Sequence, residues 1–176
     1  MPLQKKLKKK GFNELSHQDH PICRWGCDGV LIDIVPTGEN VLGFSNTWYK
    51  DAIETANIEK INQSTYIKII SAPCFIATKL EAFMQRGKSD FLSSHDLEDI
   101  ITIIDGRSEI TDDIKNSSFK IIQFISSHFS TFFKNNQFLQ ALPGHLNYTH
   151  EYENRKNTVL HRMNKIIELG ASNEST

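Results

Sequence analysis

Asp28-Gly29 lies between two runs of strand-forming residues, and no other local feature constrains the chain as tightly. A two-residue Asp-Gly loop takes both residues to positive φ, the turn geometry whose twist suits an antiparallel hairpin. The flanking runs are Pro21 to Cys27 and Val30 to Val35. The second run, Val-Leu-Ile-Asp-Ile-Val, is apolar on both faces except at Asp33. That pattern predicts a central strand with cover on both sides. Tyr66 to Ile70 reads as one more strand, expected beside the hairpin in a small mixed sheet.

The rest reads as helix. Leu3 and Leu7 are one helical turn apart, in a short helix that stops at Gly11. Asn46 or Thr47 caps a helix to about Asn57, with Trp48, Ala52 and Ala56 on one face. Pro73 opens a helix to about Arg86, stopped by Gly87. Ser93 or Ser94 caps the next, in which Leu97, Ile100, Ile101 and Ile104 follow helical spacing. A long helix is predicted from Ser117 to about Phe133, with a short helical piece before Pro143-Gly144. A final helix runs from about Glu151 to Gly170. Strands first and helices afterwards predict an α+β fold, a small mixed sheet with packed helices followed by a helical C-terminal region. The expected boundaries are a core over 1–107, helices over 108–170 and a frayed tail over 171–176.

Charge adds an asymmetry. The formal net charge of −1 conceals five lysines among the first ten residues (Lys5, Lys6, Lys8, Lys9 and Lys10), with no acid between them. The remainder carries 15 bases and 21 acids, a mildly acidic body unlike a domain with a broad basic face. The cluster reads either as a solvated helix end or as a contact for nucleic-acid phosphates. Three cysteines exclude a disulfide-built scaffold. No apolar run reaches the roughly 20 residues that span a bilayer, and the basic N-terminus lacks the apolar stretch of a secretion signal. The expectation is a cytoplasmic protein with no membrane partner.

Three constellations carry chemistry. Asp33 is costly in an apolar strand unless it is paired or binds a metal. It therefore reads as a metal ligand or as an edge Asp bonded to a neighbouring loop. Lys79 and Arg86 are two helical turns apart, about 10 Å on one face, a spacing that suits a polyphosphate or merely two solvated bases. Asp96 and Asp99, three residues apart, either orient Lys79 or a metal, or serve the helix start, since Ser93-x-x-Asp96 is also a capping box. His17, His20, Cys23 and Cys27 hold metal-ligating side chains, at spacings that suit zinc poorly. Cys74 at a helix start lacks an evident base partner and reads as a buried thiol.

Several segments together resemble a family. They are Pro21-Ile22-Cys23-Arg24-Trp25, Ile32-Asp33-Ile34-Val35-Pro36, Gly43-Phe44-Ser45-Asn46-Thr47-Trp48-Tyr49, Thr78-Lys79-Leu80-Glu81-Ala82-Phe83 with Arg86, and His95-Asp96-Leu97-Glu98-Asp99-Ile100. Over about 3–107 the chain is similar to bacterial nucleotidyltransferase-like proteins related to the AbiEii toxins, within the polymerase-β-like superfamily. The resemblance implies a nucleotide triphosphate as substrate, Mg2+ as cofactor, and transfer to an acceptor, with tRNA or another RNA expected. It assigns Asp33 as a metal carboxylate, Lys79 to the phosphate side and Asp96 as the acid of the following helix, the three converging around Lys79. Arg86 and Asp99 complete the nucleotide contacts. The family's Gly-rich helix start and Asp-x-Asp strand have no counterpart in this sequence, so the chain reads as N-terminally shortened. A residual Mg-nucleotide pocket is expected without family-like transfer by this chain alone. The alternative is a non-catalytic toxin–antitoxin or RNA-binding module of the same fold, and a structural remnant is the third reading. An exposed sheet edge able to pair with a second copy or a partner chain is expected as well.

Overall fold

The computed structural model describes residues 3–15, 23–38, 45–86, 90–146 and 151–172, with the backbone alone for Arg86. The chain divides into two compact units, Met1–Ser45 and Asn46–Thr176.

The smaller unit begins with α1 (Leu3–Lys9), followed by β1 (Asn13–Glu14), β2 (Arg24–Cys27) and β3 (Val30–Asp33). Gly11, at φ +86°, takes the left-handed position that closes the helix. The strands form an antiparallel sheet in the order β1-β2-β3. The Asp-Gly hairpin forms as the sequence predicts, with Asp28 at φ 49° and Gly29 at φ 80°, both on the side that a type I′ turn requires.

The predicted position of β3 is corrected. It ends the strand order instead of lying in the middle, and Val30 and Leu31 are 57% and 56% exposed. The apolar run reports β propensity, which β-branched residues carry whether or not a face is covered. The predicted mixed sheet is also corrected. Tyr66–Ile69 (β5) pairs antiparallel with Asn57–Lys60 (β4) in a separate two-stranded sheet, not with the hairpin. The helix expected to reach Asn57 is shorter, and this frees the chain for β4. Thr55 donates to Asp51 O from its backbone N at 2.9 Å and from Oγ1 at 2.8 Å, closing α2 (Tyr49–Glu54) one turn early. Ile58 then suits a strand better than a helix.

The larger unit continues with α3 (Ala72–Arg86), α4 (His95–Gly106), α5 (Ile110–Lys115), α6 (Phe119–Phe133), α7 (Asn136–Ala141), a 3-10 turn at Leu142–His145, and α8 (Tyr152–Ser172). The predicted α+β class therefore holds in coarse form, with antiparallel sheets and a helix-rich C-terminal region. Residues on both sides of position 107 share one core. Ile76, Leu80 and Phe83 of α3 meet Leu97, Ile100, Ile101 and Ile104 of α4, together with Ile125 and Phe129 of α6 and Val159, Met163 and Ile166 of α8. All are effectively inaccessible to water. Burying a side chain of this size stabilises by roughly 1.5–3 kcal/mol. Phe83, Phe91, Phe132 and Phe138 fill one end of the core, with ring centroids 5.2–5.8 Å apart. No helix among the described residues is long and apolar enough to cross a membrane.

The C-terminal end of α4 is held by α8. Arg162 donates to the Ile104 and Asp105 carbonyls at 2.6 and 2.7 Å, and Arg155 clasps the Asp105 carboxylate. Cations at a helix C-terminus satisfy carbonyls that have no partner within the helix.

Gly170 does not end α8, as its sequence position suggests, because the helix continues to Ser172. Its role is steric. A Cβ at Gly170 would lie 2.1 Å from Ser126 Oγ and 2.6 Å from Ser126 Cβ. Beside that contact, Gln123 Nε2 donates to Gly170 O at 2.9 Å. Here the backbone of α8 at Gly170 lies directly against the Ser126 side chain of α6.

This close approach reverses the usual sign of a helix substitution. Gly→Ala in an open helix stabilises by roughly 0.5–1 kcal/mol. Gly170→Ala is expected to destabilise by about 1–3 kcal/mol through overpacking, read from the urea midpoint. Adding Ser126→Gly should recover part of the loss. A Gly170→Ala variant as stable as the parent, or more stable, would refute the steric role.

Candidate functional site

The α3 helix starts with Pro73 in its first turn and buries the stripe formed by Ile76, Ala77, Leu80 and Phe83. Lys79 falls on the flank of that stripe. Its stem runs past the Phe75 ring, placing Nζ 5.7 Å from the ring centroid, and its head reaches α4. Nζ lies 3.1 Å from Asp96 Oδ1 and 2.5 Å from Asp99 Oδ2. The two acids, three residues apart, share a face at the N-terminal end of α4. The cap of that helix is Ser94, whose side chain accepts from Leu97 N at 3.3 Å. Ser94 is one of the two caps the sequence offers, and the Ser93-x-x-Asp96 box does not form, since the residue three after Ser94 is Leu97 and carries no carboxylate.

Burial pulls the Lys79 ammonium towards a lower pKa, but the hydrogen bonds to Asp99 and Asp96 outweigh it and leave the group above its ordinary value. Lys79 is thus a cation between Asp96 and Asp99. The sequence reading placed it between Asp33 and Asp96.

Two other segments of the resemblance also meet on α3. Asn46 Nδ2 donates to Thr78 O at 2.9 Å, and Asn46 Oδ1 accepts from Trp48 N at 3.0 Å. Thr47 N donates to both oxygens of Glu81 at 3.0 Å, Thr47 Oγ1 lies 3.0 Å from Glu81 Oε1, and Gln85 Nε2 donates to the same oxygen. Glu81 is buried, and sequence reasoning gave it no role. The signal was a carboxylate one turn after Ala77 and next to Leu80, inside the apolar stripe.

Asp33 belongs to the smaller unit. Arg24, its partner in the β2–β3 register, donates from Nε to Oδ1 at 2.8 Å and from Nη2 to Oδ2 at 2.9 Å. The hydrogen bonds to Asp33 raise the Arg24 pKa further. The premise that Asp33 is buried in an apolar strand does not hold, because β3 is an edge strand and Asp33 is exposed. Its pairing partner is a neighbouring strand, where the sequence reading expected a loop.

The Arg86 side chain lies outside the described residues, as do His17 and His20. Cys23 and Cys27 are free thiols. Burial and the nearby Asp28 push Cys27 upward, the wrong direction for a thiolate ligand. Cys74 is buried, with Sγ 3.3 Å from Thr55 Oγ1. It lines a cleft of about 360 Å³ together with Thr55, Asn57, Asp113, Ser118 and Arg107, whose guanidinium is paired with Asp113. The five lysines at 5, 6, 8, 9 and 10 are all exposed on and just after α1.

Among the described residues no three metal-ligating side chains gather. Asp33 holds a guanidinium, and Asp96 and Asp99 share an ammonium. Asp33, Asp96 and Asp99 thus each face a side-chain cation of the chain itself.

Lys79→Met removes the cation and leaves two acids facing each other, at an expected cost of about 2 kcal/mol. Because the folded-state pKa of Lys79 is raised, its contribution is fully present below the ordinary lysine value near 10.5 and is lost as pH rises through the folded value. Urea titrations of parent and variant should therefore differ by a constant amount between pH 7 and 9 and converge only as the pH rises through the raised Lys79 value. A gap that closes on going from pH 7 to 9 would exclude this assignment.

No family model matches the chain, and neither a curated protein nor a solved structure matches it significantly.

Proposed function

We propose that the chain is a non-catalytic, nucleotidyltransferase-like module that binds RNA through the phosphates of its backbone. The observation that carries this reading is the lysine cluster of α1. Five ammoniums are exposed within six positions, and the segment 3–13 contains no carboxylate to neutralise them. Lysines in that arrangement contact phosphates, release counterions and read no sequence. The pairings of Asp33, Asp96 and Asp99 with Arg24 and Lys79 support the non-catalytic half of the reading. Two-metal nucleotidyl transfer needs carboxylates directed at ions, whereas these are directed at side chains. The relation to AbiEii-like proteins rests on the motif resemblance. Asn46–Thr78 and Thr47–Glu81 give two of its segments a structural reason to occur together.

The test is fluorescence anisotropy with a labelled single-stranded RNA across a salt series. With five contacts on a single strand, log affinity should fall against log salt with a slope of up to about −3.5. Replacing Lys5, Lys6, Lys8, Lys9 and Lys10 by Ala should weaken binding at least tenfold and flatten that slope. Equal affinity for parent and variant would defeat the proposal. Incubation with labelled nucleotide triphosphates and total tRNA should give no transfer. Robust transfer abolished by Asp33→Ala would restore the catalytic reading.

A further inference from the structure

The β4–β5 hairpin exposes both of its faces, and the two faces differ chemically. The register pairs Ile58 with Lys68 and Lys60 with Tyr66, so these four side chains share one face, while Asn57, Glu59, Ile67 and Ile69 share the other. The Glu59 face is electrostatically coupled to Arg107 of the same unit. The Tyr66 face carries two ammoniums and no carboxylate, in a chain whose composition beyond the first ten residues is acidic. Among the described residues neither Lys60 nor Lys68 has an acid within ion-pair distance. Tyr66 is 60% exposed and Ile58 68%, and Lys60 Nζ stands 6.0 Å from the Tyr66 ring centroid.

From this face we infer a stacking platform for an unpaired nucleic-acid base. Tyr66 supplies the ring and Ile58 an apolar floor beside it, while Lys60 and Lys68 take the flanking phosphates. The combination fits single-stranded nucleic acid better than a protein partner. A peptide needs directional polar partners or a groove, whereas a base needs an exposed ring with cations on either side. An aromatic left in water on a two-stranded sheet is also a poor structural element, since such a hairpin gains little stability from one open face. The inference rests on the RNA reading above and adds a second contact surface of a different kind, one that recognises unpaired bases where α1 recognises only charge.

The experiment compares the full chain with Tyr66→Ala, Tyr66→Phe and Lys60→Ala/Lys68→Ala. The ligands are a fluorescein-labelled 12-mer of single-stranded RNA and the same RNA as a duplex. Stacking of one base is worth about 1–3 kcal/mol, or five- to 150-fold in affinity. Tyr66→Ala should therefore weaken single-strand binding at least fivefold, leave the salt slope unchanged and leave duplex binding unchanged. Tyr66→Phe should bind like the parent, and the double lysine variant should reduce the salt slope by about 1.4. Thermal unfolding identifies any variant that has lost its fold, and for such a variant the Phe replacement and photocrosslinking of 5-iodouridine-containing RNA to Tyr66 decide. Undiminished single-strand binding by a folded Tyr66→Ala variant overturns the platform, even where the α1 lysine variant shows that RNA binding itself is real. The converse pattern, loss with Tyr66→Ala but none with the α1 variant, upholds the platform and defeats the α1 reading. A parent that sediments as a dimer and a Tyr66→Ala monomer with unchanged RNA affinity would assign the face to a second copy and overturn the inference.

Discussion

A carboxylate buried in a helix interface is costly unless donors surround it, and Glu81 has three. They are Thr47 N, Thr47 Oγ1 and Gln85 Nε2, and they make four hydrogen bonds because the Thr47 backbone N–H reaches both oxygens. This requirement fixes the segment Asn46–Trp48 to the side of α3. With Asn46 bonded across to Thr78 and back to Trp48, Trp48 and Ala52 are delivered to the core. Lys120 then stands over the Trp48 indole, Nζ 4.6 Å from the ring. One buried acid thus sets the entry to α2, and α2 sets where the chain turns into β4.

On the other flank of α3 the same economy of charge holds. The unit that contains Lys79 places a cation between two acids, and the unit that contains Asp33 places a guanidinium against one. In both arrangements the carboxylates face side-chain cations of the chain itself. Among the described residues, the exposed lysines of α1 and of the Tyr66 face have no acid within ion-pair distance. On the proposed reading, the paired acids and cations hold the fold and the lysines outside those pairs meet the RNA phosphates.

Local signals were legible in the sequence and environmental ones were not. The Asp28-Gly29 turn, the stop at Gly11 and the stripe of Leu97, Ile100, Ile101 and Ile104 are each fixed by neighbours within a few positions, and each appears as expected. The location of β3 is decided by which strands lie beside it, and the five apolar residues around Asp33 look alike at an edge and in a centre. The strand β4 was hidden because Thr55 closes α2 through a side-chain bond to Asp51 that competes with helix continuation. The helix α5 was hidden by its six-residue length. At the candidate site, the spacing of Lys79, Asp96 and Asp99 was enough to bring them together, since helical periodicity determines their faces. The Arg24 partner of Asp33 required the hairpin register, and Glu81 required knowledge of what lies against α3.

The final helix has a consequence for the order of events in synthesis. Val159, Met163 and Ile166 supply one wall of the core, and the arginines of α8 cap α4. Until those residues leave the ribosome, the apolar faces of α3, α4 and α6 have no lid. A chain growing from its N-terminus therefore holds Ile76, Phe83, Ile100 and Phe129 in an incompletely covered state through most of its translation. That interval, rather than the finished fold, is when the larger unit is most open to capture by chaperones or by other nascent chains.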